Sequence, residues 1–242
     1  MKQVIALLGS KRKKNTYRIL VEIQRILENH NIKMSIIELY NKHIEPCLGC
    51  EHCILEGNCV INDDTTQIMN KLINADGIIL ASPVYLQQVS GQLKTFFDRT
   101  CMWYHRPILT EKPILSVATT KGSGLKKTLS YLESITVQWG AIPAGKVGRT
   151  IFTQDKHISE EQISKFIKLI DEPQKHIPNL NQLINFEIQK AMALYLNNLD
   201  REYWEKKNWD KQSYYYTAKI NLISKYISHR IGKFIQDKIK TK

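Results

Sequence analysis

The sequence predicts an α/β protein: a doubly wound, five-stranded parallel sheet with a helical extension at its C-terminal end. Three observations carry that prediction. Short apolar runs without polar alternation, Val-Ile-Ala-Leu-Leu at 4–8 and Gly-Ile-Ile-Leu-Ala-Ser at 77–82, suit strands covered on both faces. Segments of helical length and period lie between such runs, so strand and helix alternate as a parallel sheet requires. Loops rich in Gly, Ser, Thr and Pro follow the first, third and fourth strands, at the carboxyl edge where these sheets hold ligands.

Taken in order, residues 4–8 form the first strand, bounded by Gly9. A helix follows over 17–27, and residues 34–39 give the second strand. Asp63 and Asp64 offer N-caps to a helix reaching about residue 75. The third strand is 77–82, a helix covers 91–101, and 113–118 is the fourth strand. A helix over 125–138 leads to a short fifth strand near 145–148. Right-handed crossovers through five such strands make the sheet flavodoxin-like. Residues 1–155 are read as that domain and 156–242 as the extension, with helices over 159–170 and 180–199.

The chain has 242 residues, 43% of them hydrophobic, enough to bury a core without metal or disulfide support. The apolar start is interrupted at Lys11-Arg-Lys-Lys14 and is too short for a signal peptide, and no stretch approaches a membrane span. A cytoplasmic protein is the expectation. The net charge of +12 is spread along the chain without a nucleic-acid motif, so nucleic acid is not an expected partner.

Four cysteines occupy one loop: Cys47, Cys50, Cys53 and Cys59, at spacing C-x2-C-x2-C-x5-C. In a reducing compartment such a run points to metal or redox chemistry rather than to structural bridges. The spacing suits an iron-sulfur cubane, with zinc and uncoordinated or redox-active thiols as the alternatives. His52, inside the run, is read as a bystander, and Cys101 as a packing residue.

After the first strand, Gly9-Ser10-Lys11-Arg12-Lys13-Lys14-Asn15-Thr16 precedes a helix. Hydroxyls, backbone amides and the helix N-terminus there form a phosphate site with added positive charge. After the third strand, Ser82-Pro83-Val84-Tyr85 offers a fixed backbone and a flat side chain suited to an aromatic ring system. After the fourth, Thr119-Thr120-Lys121-Gly122-Ser123-Gly124 allows close backbone approach to a ligand.

Gly-Ser-x-Arg-x-x-Asn-Thr, the cysteine run with Asp63-Asp64 behind it, and Ser-Pro-Val-Tyr with Gly-x-Leu-Lys-x-Phe-x-Asp-Arg together resemble the NADPH-dependent FMN reductase-like flavoproteins. Within them the chain looks most like the iron-sulfur flavoproteins. The resemblance implies FMN, its phosphate held by Ser10, Arg12, Asn15 and Thr16, its isoalloxazine lined by Pro83, Val84 and Tyr85 with Ser82 also read as cofactor-binding, and Thr120, Gly122 and Gly124 closing over it. It implies a 4Fe-4S cluster on Cys47, Cys50, Cys53 and Cys59, no catalytic side chain, and an oxidoreductase working between NAD(P)H or a ferredoxin and a small acceptor, as a homo-oligomer; a cluster-free NADPH-dependent FMN or quinone reductase and a non-catalytic electron carrier or redox sensor are the alternatives. The phosphate loop is one residue shorter than the common form, with Lys14 where a small residue often stands.

Beyond residue 155, Tyr203, Trp204, Trp209, Tyr214, Tyr215 and Tyr216 are read as core or subunit contacts. Ile220, Ile223, Ile227, Ile231, Phe234 and Ile235 recur at helical spacing among lysines. Packing on the domain or on a partner subunit is the expected use of that helix, in preference to a membrane surface.

Overall fold

The computed structural model describes residues 1–241. Its elements run β1 (Lys2–Leu8), α1 (Asn15–Asn29), β2 (Ile32–Glu38), α2 (His52–Leu55), α3 (Asp64–Asn74), β3 (Gly77–Pro83), α4 (Gly91–Arg99), α5 (Met102–His105), β4 (Pro113–Thr119), α6 (Leu125–Gln138) and β5 (Ile142–Arg149). Then come α7 (Ser164–Asp171), α8 (Leu180–Leu196), α9 (Asn198–Lys206) and α10 (Leu222–Lys240).

All five strands pair in parallel in the order β2-β1-β3-β4-β5. The order reverses between β1 and β3, so the loops after these two strands diverge and leave a crevice at the carboxyl edge. The apolar runs of β1, β3 and β4 are buried almost throughout, as double coverage demands. One face carries α1 and α7, joined by Ile19, Leu20, Ile23, Phe166 and Ile170. The other carries α3, α4 and α6, joined by Ile68, Leu72, Phe96, Leu132 and Trp139. A third core, around Phe186, Trp204, Trp209, Tyr214 and Tyr215, lies under α8 and α9 and absorbs most of the aromatic cluster seen in the sequence.

Several boundaries move for identifiable reasons. The fifth strand begins at Ile142 rather than near 145 and carries Pro143. It is an edge strand, where the missing ladder donor of a proline is tolerated, and the register shifts beside it. The helix expected over 180–199 breaks at Asn197, whose extended backbone ends α8 and whose Oδ1 accepts the Leu199 N–H at 2.7 Å to cap α9. Over 159–170 a capping box of Ser159 and Gln162 opens a 3-10 turn, and α7 proper starts at Ser164. The helix expected over 91–101 ends at Arg99, with α5 following as a separate turn.

The last helix packs on α8 in an unexpected orientation. Its buried residues are Ser228 and Gly232, where a Cβ would meet Glu187 at 2.8 Å, so small residues let the helices approach. Ile223, Ile227 and Phe234 face outward instead. Among the described residues no helix is long and apolar enough to cross a membrane.

Trp204 is fully buried, donates its indole N–H to the His105 carbonyl at 2.8 Å, and packs tilted against Phe186 and edge-to-face against Trp209. Trp204→Ala is expected to cost about 3–5 kcal/mol, read as a lowered urea midpoint with an almost unchanged slope.

Candidate functional site

Two sites lie at opposite ends of α4, which begins beside the first at the sheet's carboxyl edge and whose last residue, Arg99, lines the second. The first is a cavity of about 250 Å3 lined by Ser10, Arg12, Lys14, Asn15, Thr16, Pro83, Val84, Tyr85, Thr119, Thr120 and Lys121. Its floor begins at Gly9, whose N–H donates to the Ala81 carbonyl at 2.8 Å. A Cβ on Gly9 would stand 2.6 Å from Ser90 Oγ and 2.9 Å from Leu93 Cβ, so the chain can turn this tightly only as glycine.

No side chain caps α1 and no acidic residue lies in its first turn, which leaves its leading amides free for an anion. Arg12, Lys14 and Lys121 add cationic charge to the same cavity. Buried Thr16 shares a 2.7 Å hydrogen bond with Thr119 Oγ1, tying the phosphate loop to the end of β4. Asn15 is turned partly away, donating to Gln154 Oε1 at 3.1 Å.

The opposite wall is a tight turn in which Tyr85 and Gln88 exchange backbone hydrogen bonds of 2.9 and 3.0 Å. Leu86 and Gln87 both take positive φ, 45° and 67°, which is costly for side-chain-bearing residues. α6 holds the strain in place. Lys127 Nζ donates to Gln87 Oε1 at 2.5 Å, Thr128 Oγ1 to the Gln87 carbonyl, and Gly124, at φ 91°, leaves no room for a Cβ beside Gln87 Cα. Tyr85 is thereby presented half-exposed at the mouth.

Of the residues predicted for this cavity, Ser10, Arg12, Asn15, Thr16, Pro83, Val84, Tyr85 and Thr120 line it together. Ser82, Gly122 and Gly124 do not. Ser82 is fully buried and uses its hydroxyl within the loop, accepting the Ser90 N–H and donating to the Pro83 carbonyl. Gly122 donates to Thr120 Oγ1, and Gly124 shapes the turn from behind. Thr119, Lys14 and Lys121 join the lining. Their positions at the ends of β4 and of the phosphate loop were the signal available for them.

The second site gathers Cys47, Cys50, Cys53 and Cys59 around one pocket with Leu48, Glu51, Val60, Ile61, Asp98 and Arg99. Left-handed backbone at Gly49 and Glu51 folds the loop back on itself, and one helical turn, α2, carries Cys53. His52 is not part of the lining. Burial pushes the Cys53 thiol up, and crowding by Cys101, Cys59, Cys47 and Cys50 raises it further. Cys101 is therefore not the distant packing residue its sequence position suggested: it is solvent-exposed and close enough to act on Cys53. The cysteines are free, and among the described residues no three His, Cys, Asp or Glu side chains close into a ready metal-ligand set.

Arg99 anchors this pocket. Its side chain and that of Asp63 are wholly buried and paired at 2.5 Å. The guanidinium also donates to the carbonyls of Glu45 and Ile61 at 2.9 and 3.3 Å, and to Cys59 Sγ at 3.4 Å. Asp63 in turn accepts the amides of Glu45 and Thr65, the latter capping α3. Both ends of the cysteine loop are thus tied to one buried ion pair. Burial would push the Asp63 carboxyl up, but Arg99 and the two amides outweigh it and hold the group down at about 2.

A doubly wound sheet with a cationic cavity at its switch point and a four-cysteine pocket at the far end of α4 defines a flavodoxin-like redox protein. Residues 2–152 match the family described as NADPH-dependent FMN reductase, and the chain belongs to that family. Its relatives include an iron-sulfur flavoprotein of Archaeoglobus fulgidus, 29% identical across 86% of this chain and 99% of the relative. One from Clostridioides difficile is 30% identical across 82% of this chain and 96% of its own. A Methanocaldococcus jannaschii iron-sulfur flavoprotein is 42% identical over 99 residues, 40% of this chain and 51% of that protein. Among solved structures, an apo NADH:FMN oxidoreductase superposes with a TM-score of 0.51 at 18% identity, covering 72% of this chain and 88% of that one. RosB superposes at 0.54 with 10% identity and 92% of both chains covered. These two likenesses establish the shared fold.

Asp63→Asn keeps the cap on α3 but leaves the Arg99 charge buried and uncompensated, at a cost of about 3–5 kcal/mol in chemical denaturation. Because the folded carboxyl titrates below its unfolded value, its contribution is present above about pH 4 and is lost as pH falls toward 2. The stability of the wild type should therefore decline over that acid range more steeply than that of the Asn variant.

Proposed function

We propose that the chain is a flavin oxidoreductase that binds FMN in the β1/β3 cavity and a 4Fe-4S cluster on Cys47, Cys50, Cys53 and Cys59. Electrons would pass between NAD(P)H or a ferredoxin and a small acceptor, in a cytoplasmic homo-oligomer. The observation that carries this reading is the convergence of all four cysteines on a single pocket that contains a buried guanidinium.

Both cofactors fit the residues present. The uncapped first turn of α1 with Arg12, Lys14 and Lys121 matches a phosphate dianion, and Ser10 and Thr16 add hydroxyls. Tyr85 and the Pro83-Val84 backbone offer an apolar wall for a planar ring. The Cys53 thiol, raised by burial and by the neighbouring cysteines, would be held as a thiolate by a positively charged centre among them. Soft sulfur donors and N–H groups directed at sulfur, from Arg99 to Cys59 and from Gly49 to Cys47 at 3.5 Å, suit a cluster better than a hard cation.

When bound, FMN accepts a hydride and can release electrons singly, while a cluster carries one at a time, so the pair would link two-electron and one-electron partners. The chain's own residues would bind, orient and tune. The strained turn bearing Tyr85 fixes one wall, and Arg99 places a positive charge beside Cys59. The basic mouth formed by Arg12, Lys14 and Lys121 would also favour an anionic donor, whether a nicotinamide dinucleotide or an acidic ferredoxin.

Anaerobically purified protein should hold about one FMN with about four irons and four sulfides per chain. Cys59→Ser should lose most of the iron while keeping flavin, and Arg12→Glu should weaken FMN binding at least about tenfold without removing iron. NADPH oxidation with a quinone, against ferredoxin-driven reduction of the flavin, separates the two donors. Flavin without iron in the wild type would remove the cluster and leave a simple FMN reductase.

A further inference from the structure

The helix that carries Cys53 cannot stand alone. α2 is a single turn of four residues, none of them buried, far below the length at which a helix persists without support. Apolar packing does not fix it, since Leu55 at its end is 58% exposed.

Its carbonyl end is instead gripped by Arg106 of the sheet domain together with residues of the C-terminal extension. Arg106, just after α5, donates through Nη1 to the Ile54 carbonyl at 3.0 Å and through Nη2 to the Cys53 carbonyl at 2.5 Å. The same Nη1 is paired with Asp200 of α9, a carboxylate 1% exposed whose other oxygen meets His105 Nδ1 at 3.0 Å. Asn197, at the start of α9, sends Nδ2 to the Ile54 carbonyl at 3.1 Å while its Oδ1 caps α9. Leu199 packs over Gly57, lying 3.5 Å from where a Cβ would stand.

We infer that Asp200, Arg106 and Asn197 form a clamp by which the C-terminal extension positions the cysteine loop, with Asp200 and Arg106 acting as positioning residues for Cys53. The planar fork is what the arrangement needs: one guanidinium spans two successive carbonyls and a carboxylate, which an ammonium cannot do. Asp200 neutralises the guanidinium and fixes its orientation, so the loop depends on a residue some 94 positions beyond Arg106. The clamp acts on the backbone of the loop and exists whether or not metal is bound there.

The test uses the full-length protein as purified, with iron and FMN counted in each sample. Asp200→Asn and Arg106→Lys are compared with wild type by hydrogen exchange of peptides spanning 52–59 and by the alkylation rate of Cys53 read by peptide mass spectrometry. Asn197→Asp keeps the α9 cap and puts a carboxylate oxygen in place of the donor to Ile54, and serves if the first two variants fold poorly. Tyr203→Phe, which loses a 2.8 Å bond from the extension to the Pro107 carbonyl, is the control.

The clamp predicts exchange at α2 and alkylation of Cys53 faster by about tenfold in the clamp variants, with strand peptides and FMN content unchanged and Tyr203→Phe like wild type. Where iron is present, the reduced-state electron paramagnetic resonance spectrum should also shift. Unaltered exchange at 52–59, or an equal rise in Tyr203→Phe, would overturn the clamp. Absence of iron from every sample would instead count against the cluster alone, because the exchange and alkylation comparisons stand without it.

Discussion

The buried pair of Arg99 and Asp63 is the constraint on which the cysteine site depends. Neither charge could lie in the interior without the other, and together they consume the polar groups at both ends of the loop from Glu45 to Asp63. The pair joins α4, which begins beside the strained turn, to α3, which Asp63 caps. A segment with little core of its own is thereby given a fixed base, and its four cysteines line one pocket against it. The same guanidinium supplies an N–H to Cys59, so structural support and electrostatic tuning come from one side chain.

A second arginine repeats the device at the middle of the loop. Arg106 is neutralised by Asp200 as Arg99 is by Asp63, and each arginine also donates to two loop carbonyls. Two guanidinium forks thus do for this loop what apolar packing does for the sheet. The cavity at the sheet edge is held by different means: glycine at the tight turn, a hydroxyl pair across Thr16 and Thr119, and a strained turn pressed in place by α6. One site is built from long-range ion pairs, the other from local turn chemistry.

That difference explains what could be read from the sequence. β1, β3 and β4 announce themselves as unbroken apolar runs, and the phosphate loop and the Pro83-Val84-Tyr85 turn are contiguous stretches whose role follows from their place after a strand. The family resemblance rests on the same local motifs. Arg106 and Asp200 have no such signature, because an ion pair across more than 90 residues depends on how α9 folds back. Asn197 looked like a helix-interior residue until its capping role appeared, and Cys101 looked remote because a helix and a turn bring it back to the loop. The final helix misled for another reason. Its isoleucine period is real, but close approach to α8 selected the small residues Ser228 and Gly232 for the contact.

Under the function proposed, Cys47, Cys50, Cys53 and Cys59 surround one iron-sulfur centre held in place by Arg99. Crystals of anaerobically purified protein, measured on both sides of the iron absorption edge, test it directly. One strong anomalous peak enclosed by the four sulfurs is expected, with an Arg99 nitrogen still directed at Cys59. A peak that appears at the zinc edge instead, or iron bound away from these sulfurs, would contradict it.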